Sequence, residues 1–278
     1  MRKHILVPTD FSENAWSAAL YALKLYANTP CTFYFSHAFT FLNTGTRTQV
    51  PQSQIDPLVE KEKEQLIEVM NRAKKESTNS DHEFDTIFSF GSLMDSIKLA
   101  NKKYKIDLVV MGTKGATGAK KILLGSNAVA VINKVRRAPL LLVPSKCKYK
   151  APKKILFPSA FTRFFGEEIQ SIKELAELHN SSIDVLHINA KETLSDIQNA
   201  NLDMLKNYLE GLELNFNWRT DYKTKAYAIT DFIKENNSNI LTMINYEHSF
   251  IENLVKEPVI KRLGFNSKIP FMIIPRKK

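Results

Sequence analysis

Three glycines and a following Gly-Ser pair mark the segment of this sequence best suited to binding an anion. Gly112, Gly115 and Gly118 fall within seven residues, and Gly125 precedes Ser126. Glycine permits a close approach of the backbone, so that successive N–H groups can face one concavity and bind phosphate oxygens. A helix that begins at the Gly-Ser pair would add free amides and a favourable dipole. The spacing predicts a phosphate-binding loop, whereas a single G-x-x-G is as typical of an ordinary turn.

Asp10 is a second candidate, because it follows closely on the first apolar run of the chain, Ile5 to Pro8. A carboxylate at the tip of a strand can accept hydrogen bonds from a diol. The alternative interpretation is that Asp10 only stabilises the first turn of the next helix, where acidic side chains are favoured. Three lysines place positive charge in the glycine-rich segment itself, namely Lys114, Lys120 and Lys121.

The sequence lacks the patterns of most other functional sites. Its two cysteines, Cys31 and Cys147, form no C-x-x-C pair, zinc set or disulfide framework. The six histidines show no metal-ligand spacing, and neither a Walker A loop nor G-x-G-x-x-G occurs. No apolar stretch approaches the roughly 18 residues that a membrane span needs. We therefore expect a cytoplasmic protein without a membrane partner.

Positive charge is concentrated in the first half of the chain. Residues 1–150 contain 22 Lys and Arg against 13 Asp and Glu, and residues 151–278 contain 17 against 16. A basic surface is compatible with nucleic acid, an anionic surface or a phosphate-bearing ligand. Aromatic and basic residues are not interleaved as in many surfaces that bind nucleic acid. We therefore expect most of the excess charge to be solvated and nucleic acid not to be the partner.

The chain contains an internal repeat, which predicts two domains of one type. Residues 4–8 align with 154–158 at an offset of 150, and the same offset places His37 on His187. We interpret both histidines as framework residues, because they occur in both copies whether or not the copy carries the glycine motif. Towards the end of each copy the offset falls to 131, so the second copy is shorter by about nineteen residues.

The predicted domains span residues 1–147 and 152–278, and each alternates apolar runs with amphipathic stretches. In the first domain we predict strands at 4–8, 31–37, 84–90, 106–111 and 139–143 and helices at 13–27, 57–77, 93–102 and 126–136. This alternation is typical of an α/β, Rossmann-like fold, here two doubly wound, mostly parallel five-stranded sheets with helices on both faces. Such sheets bind ligands beyond the carboxyl ends of the strands, where the strand order reverses. The loops after the first and fourth strands, which carry Asp10 and the glycines, are therefore the expected binding loops.

Taken together, these motifs resemble the universal stress protein family. The first strand ends in Val7-Pro8-Thr9-Asp10, and His37 stands near the end of the second strand. Gly112-x-x-Gly115 is followed, after nine residues, by Gly125-Ser126. The resemblance covers the whole of the first copy. The second copy resembles the family only in its pattern of strands and helices and lacks the motif residues. The whole chain is similar to a tandem universal stress protein.

This resemblance implies an adenine nucleotide as the ligand, ATP or AMP or ADP, with Mg²⁺ accompanying a triphosphate. Asp10 would accept hydrogen bonds from the ribose hydroxyls, Ala38 would meet the adenine edge through its backbone, and Gly112 would lie against the ribose. The phosphates would be surrounded by Gly115, Gly125, Ser126 and Asn127. The complete set of implied nucleotide-binding residues is Pro8, Thr9, Asp10, Ala38, Met111, Gly112, Lys114, Gly115, Gly125, Ser126 and Asn127.

The second copy lacks these residues. Ala160 stands where the first copy has Asp10. The equivalents of the four glycine-loop positions fall near Ile244, Glu247, Glu257 and Pro258. Acidic side chains repel phosphate, and proline has no amide N–H to donate. We therefore expect one nucleotide per chain.

Members of this family often dimerise through the last strand, so the resemblance implies that the two copies pair within the chain through 139–143 and 270–274. Both runs are apolar, and an uncovered edge of this kind promotes aggregation. The implied function is a nucleotide-dependent regulator in a stress response, in which nucleotide orders loop 113–124 for an unidentified protein partner. A slow ATP hydrolase and a nucleotide-independent interaction module are the alternatives. Against the hydrolase, no general base can be named beside the glycine loop.

Overall fold

The computed structural model describes residues 1–40, 51–114, 125–134, 136–145, 147–189, 193–220, 224–245 and 269–276. The strands of the first half are β1 (Lys3–Pro8), β2 (Cys31–Phe39), β3 (Glu83–Phe90), β4 (Leu108–Gly112) and β5 (Leu140–Val143). Its helices are α1 (Glu13–Leu25), α2 (Gln52–Glu76), α3 (Leu93–Tyr104) and α4 (Ser126–Lys134).

The second half repeats this alternation. Its strands are β6 (Lys154–Pro158), β7 (Ser182–Ile188), β8 (Leu214–Arg219), β9 (Ile240–Asn245) and β10 (Phe271–Pro275). Its helices are α5 (Gln170–His179), α6 (Asp196–Tyr208) and α7 (Lys225–Asn236), and a short 3₁₀ turn, Glu167–Ile169, leads into α5.

Every strand and helix predicted for the first half is present, with bounds shifted by a few residues. The start of α2 differs most, because the helix begins at Gln52 rather than at Pro57. Pro57 lies inside the helix, where its missing N–H removes one hydrogen bond to the preceding turn. Ser12 caps α1, and Ser92 with Asp95 forms a capping box at α3.

The strand order is β3-β2-β1-β4-β5-β10-β9-β6-β7-β8. Within each half the neighbouring strands run parallel, and the order reverses between β1 and β4 and between β6 and β9. β5 and β10 pair antiparallel, with Leu141 opposite Met272. The two expected five-stranded sheets are therefore joined edge to edge into one ten-stranded sheet, and the expected pairing of 139–143 with 270–274 is confirmed.

Helices cover both faces of the sheet, as expected. One core, which contains Phe33 and Phe157, lies under α1, α2, α5 and α6. The other, which contains Leu6 and Leu156, lies under α3, α4 and α7. All residues of β5 are buried because this strand lies in the middle of the joined sheet, which explains its continuous apolar sequence. Within the described ranges, no helix combines the length and apolar character needed to cross a membrane.

Candidate functional site

The turn after β1 presents Asp10 at the carboxyl end of the sheet. Phe11 adopts a positive φ of 63°, a left-handed conformation that costs a residue with a Cβ about 1–2 kcal/mol. The Phe11 N–H donates to Thr9 Oγ1 at 3.0 Å, and the Ser12 hydroxyl donates to Asp10 Oδ1 at 2.6 Å. These two hydrogen bonds hold the strained turn and orient the Asp10 carboxylate.

His37 packs against this turn and bonds to it. Its ring stacks on Phe11 with centroids 4.5 Å apart, and its Nδ1 lies 2.8 Å from the carbonyl oxygen of Thr9. Its Nε2 lies 2.6 Å from a carboxylate oxygen of Glu62 on α2. The framework role expected for His37 is therefore confirmed, and Glu62 is a partner that no sequence motif indicates.

The second half repeats the turn without the carboxylate. Phe161 has a φ of 53°, and its ring stacks on His187 with centroids 5.1 Å apart. Nδ1 of His187 lies 2.9 Å from the carbonyl oxygen of Ser159. Ala160 stands in place of the aspartate, and its carbonyl accepts a hydrogen bond from Gln198 Nε2 at 2.8 Å. Both halves therefore share the fold of this turn, but only the first half has an aspartate, Asp10, in it.

Asn14 links the start of α1 to the loop after β4. Its Nδ2 donates to the carbonyl oxygen of Lys114 at 2.6 Å. The Asn14 side chain is buried, and its Oδ1 has no hydrogen-bond partner among the described residues. No motif identifies Asn14, but its place on α1 is informative. Ala18 and Ala22 follow it at helical spacing and are completely buried, so a polar residue on the same stripe must face the sheet.

Gly112 lies directly against Asn14. A Cβ atom on Gly112 would lie 2.3 Å from Nδ2 and 2.7 Å from Cγ of that side chain. The lack of a side chain therefore allows α1 to approach the end of β4. Met111 points to the opposite face, since neighbouring residues of a strand alternate, and is buried in the core that contains Leu6. The Met111 side chain therefore lies on the opposite face of the sheet from Asn14.

The two ends of the glycine-rich segment meet at the carboxyl end of β4. The Gly125 N–H donates to the carbonyl oxygen of Thr113 at 2.8 Å. α4 begins directly after Gly125, and Ser126 and Asn127 in its first turn are exposed. The first amides of a helix have no partner within the helix. These amides therefore lie at the same edge of the sheet as Asp10.

The backbone of Ala38 extends beyond the end of β1. The β1–β2 pairing ends where Pro8 lies opposite Ser36, whereas β2 continues beside β3 as far as Phe39. The Thr9 N–H donates to the Ser36 carbonyl at 2.8 Å, so the backbone groups of Ser36 point towards β1. Backbone groups two residues apart in a strand point to the same side. Those of Ala38 therefore point past the end of β1.

The structure assigns different positions to the residues implied by the resemblance. Those at the carboxyl ends of β1, β2 and β4 are Thr9, Asp10, Ala38, Gly112, Gly125, Ser126 and Asn127. Pro8 and Met111 are buried, and Lys114 is half-buried with its carbonyl bonded to Asn14. Outside the described residues lie Gly115, Gly118, Lys120, Lys121, Glu247, Glu257 and Pro258.

The titratable groups of the described residues give no sign of redox or metal chemistry. Burial raises the pKa of the Cys31 thiol to about 12 and that of Cys147 to about 11. Both thiols are therefore poor nucleophiles, because the thiolate is the reactive form. The part of the chain that the structure describes contains no group of three His, Cys, Asp or Glu side chains that could hold a metal.

Comparison with known proteins gives a consistent result. A sequence profile described as the universal stress protein family matches residues 1–144. A universal stress protein of Methanocaldococcus jannaschii is 31% identical over 153 residues, which is 55% of this chain and 84% of that protein. Another from Bacillus subtilis is 27% identical over 94 residues, 34% of this chain and 63% of that protein.

The fold is also found in solved structures. The crystal structure of a universal stress protein from Archaeoglobus fulgidus has a TM-score of 0.74 and 19% sequence identity to this protein. The superposition covers 99% of this chain and 97% of that chain, so the similarity in fold extends over both halves. Because the profile match spans more than half of the sequence, this chain belongs to the universal stress protein family.

Proposed function

We propose that this protein binds one adenine nucleotide, ATP, ADP or AMP, in the crevice above the first half of its sheet. The proposal rests on three groups that lie at the same end of the sheet, where the strand order reverses between β1 and β4. These groups are the Asp10 carboxylate, the backbone at Gly112 and the N-terminus of α4. The hydrogen bond from Asn14 to Lys114 joins the two loops that supply them. Parallel α/β sheets bind their ligands at such points.

Each part of a nucleotide has a suitable group in this crevice. The Asp10 carboxylate can accept hydrogen bonds from the ribose diol, and the backbone of Ala38 can bond to the adenine edge. The amides at Ser126 suit the phosphates, because a helix N-terminus favours anions. Asn14 Oδ1, which has no partner among the described residues, can accept a hydrogen bond from the ligand. Gly115 would complete the phosphate site.

A triphosphate would bring Mg²⁺ with it in this proposal. Mg²⁺ prefers oxygen ligands and often binds through phosphates and one or two protein groups. The described residues include no group of three metal-ligating side chains. Phosphate oxygens and water would therefore supply most of the ligands of the ion.

The second half, in this proposal, is a fixed partner that takes no nucleotide. It pairs with the first half through Leu141 and Met272 at the β5–β10 junction. It also supports α4, because Asn245 Nδ2 donates to the carbonyl oxygen of Ile132 at 3.2 Å. The opposite end of α4 faces the proposed phosphate site. The proposal includes the domain boundaries 1–147 and 152–278 and a cytoplasmic location.

The proposed role is that of a nucleotide-dependent regulator in a stress response. Bound phosphates would contact segment 113–124, and a protein partner would distinguish the nucleotide-bound surface from the free one. The direct test is mass spectrometry of small molecules released by denaturing freshly purified protein. An adenine nucleotide is expected among them.

Calorimetry with ATP and AMP then tests the site. One nucleotide should bind per chain, and Asp10→Ala should abolish binding without unfolding the protein. Asp203→Ala, which removes an exposed carboxylate from the second half, should leave binding unchanged. Full affinity after Asp10→Ala, or after Gly115→Val combined with Gly125→Val, would refute the assignment. Phosphate release above the level of these variants would instead support the hydrolase.

A further inference from the structure

The contacts of His37 determine the charge of its ring. Nδ1 lies 2.8 Å from the carbonyl oxygen of Thr9, and Nε2 lies 2.6 Å from a carboxylate oxygen of Glu62. A carbonyl oxygen and an ionised carboxylate only accept hydrogen bonds. With Glu62 ionised, both ring nitrogens therefore donate. An imidazole that donates from both nitrogens carries a positive charge.

The second half provides the matched case without an acid. His187 Nδ1 donates to the carbonyl oxygen of Ser159 at 2.9 Å, but its buried Nε2 has no hydrogen-bond partner within the described ranges. Burial and the Lys225 cation hold the pKa of His187 below its ordinary value, against the effect of the Ser159 hydrogen bond. The two equivalent histidines therefore have different charged neighbours. His37 contacts the Glu62 carboxylate, whereas the Lys225 cation lowers the pKa of His187.

Among the described residues, Glu62 is the charged group that the structure records in contact with His37. α2 contributes Glu62 and Lys63, and the Lys63 ammonium nitrogen lies 5.8 Å from the ring centroid of Phe88. The turn after β1 contributes Asp10. β3 contributes Phe88, whose uncharged ring lies 6.0 Å from that of His37.

We infer that Glu62 and His37 are positioning residues of the nucleotide site. Glu62 holds His37 as an imidazolium, and His37 in turn holds the Thr9 carbonyl and therefore the Asp10 turn. This inference rests on the proposed function. When the ring loses a proton, one of its two hydrogen bonds must be lost, and α2 is no longer linked to the turn. Loss of the link between α2 and the turn should therefore lower nucleotide affinity.

Nuclear magnetic resonance of the full chain tests the charge without any nucleotide. At a pH of about 6.5, an unperturbed imidazole is about half protonated. Nitrogen-15 spectra should then show both nitrogens of His37 protonated, but only Nδ1 of His187. Glu62→Ala should convert His37 to the pattern of His187. Glu68→Gln, a matched change at an exposed position of α2, should have no effect, and a neutral His37 in the wild-type chain would overturn the inference.

The positioning role has its own readout. The amides of Phe11 and Ser12 donate to Thr9 Oγ1 and Asp10 Oδ1, so their resonances report the geometry of the turn. These resonances should shift in Glu62→Ala and recover in Glu62→Gln, because an amide can donate to Nε2 of a neutral ring. Unshifted resonances in Glu62→Ala would overturn the role.

Nucleotide affinity should change in the same variants as the resonances of the turn. Glu62→Ala should weaken binding roughly tenfold, as expected for the loss of one hydrogen bond to a charged group. Glu62→Gln should keep the affinity, because its amide can restore the hydrogen bond to Nε2. If Glu62→Ala binds with the affinity of the wild type, the inference fails and the proposed function stands.

A wild-type chain that binds no nucleotide would refute both the proposed function and the positioning role. The imidazolium assignment would still be decided by the nitrogen-15 spectra. Thermal unfolding of each variant separates a specific loss of affinity from a loss of structure. If Glu62→Ala does not fold, Glu62→Gln still decides the charge assignment, because its nitrogen-15 spectra must show a neutral His37 ring.

Discussion

A Cβ atom on Gly112 would lie 2.3 Å from the side-chain nitrogen of Asn14. That nitrogen also donates to the carbonyl oxygen of Lys114 at 2.6 Å. A single asparagine on α1 therefore both requires a glycine at the end of β4 and holds the first residues of the following loop. Gly112 serves the packing of α1 on the sheet, independently of any ligand.

Gly112→Ala should lower the free energy of unfolding by about 1–3 kcal/mol, the usual cost of overpacking. Nucleotide binding should weaken as well, because Asn14 must move. The same change should cost less in an Asn14→Ala background, since the closest atoms are then missing. Urea unfolding of both single variants and the double variant measures this coupling. Strictly additive effects would show that Asn14 is not the obstacle.

Leu141→Lys should disrupt the junction between the two halves of the sheet. Leu141 is completely buried opposite Met272, and burying an unpaired charge costs about 3 kcal/mol or more. The freed edges of β5 and β10 should then cause association, visible by size-exclusion chromatography. Leu99→Lys, at an exposed position on α3, is the control. Equal melting temperatures for the two variants would contradict this prediction.

The stability of the protein should fall in acid because of His187. Burial, opposed by the hydrogen bond to Ser159, holds the pKa of His187 below its ordinary value, and the Lys225 cation lowers it further. The unfolded chain therefore binds this proton more readily than the folded chain. The free energy of unfolding should decrease as the pH drops below about 6.5. His187→Gln should make this decrease shallower in urea titrations, and an unchanged slope would show that other groups cause it.

Asn245→Ala should loosen α4 from the second half. The Asn245 side chain donates to the carbonyl oxygen of Ile132 at 3.2 Å, and a hydrogen bond of this kind contributes about 1 kcal/mol. Hydrogen exchange of the α4 amides should accelerate. Asn217→Ala removes a side chain that bonds only to the nearby Asn215 carbonyl, and it should leave α4 unchanged. Equal exchange in both variants would rule out support of α4 by Asn245.

Local patterns predict the elements of the first half because hydrophobic periodicity depends on neighbouring residues. Among the described residues, the repeat extends this prediction to the second half, with one exception at its first helix. At an offset of 150 from Glu13, a helix would begin at Arg163, but the first helical turn begins at Glu167. Gly166 precedes that turn in an extended conformation, and glycine has a low helix propensity.

Motif spacing locates only part of the candidate site. Asp10 and Gly125 can be found from the sequence, because each follows or precedes a predictable element. Asn14 and Glu62 cannot, since their partners lie 100 and 25 positions away along the chain. No spacing rule connects residues across such distances, and only the packing of α1 and α2 on the sheet brings them together.

The sequence by itself determined the repeat, the alternation of strands and helices, and the glycine spacing, because all three depend only on the order of residues. The tertiary structure decided how the copies join, with β5 antiparallel to β10 in one sheet. It also decided that, among the described residues, Glu62 bonds to His37 whereas no acid bonds to His187. These contacts depend on strand register and helix packing, which are set by the whole core rather than by any single segment.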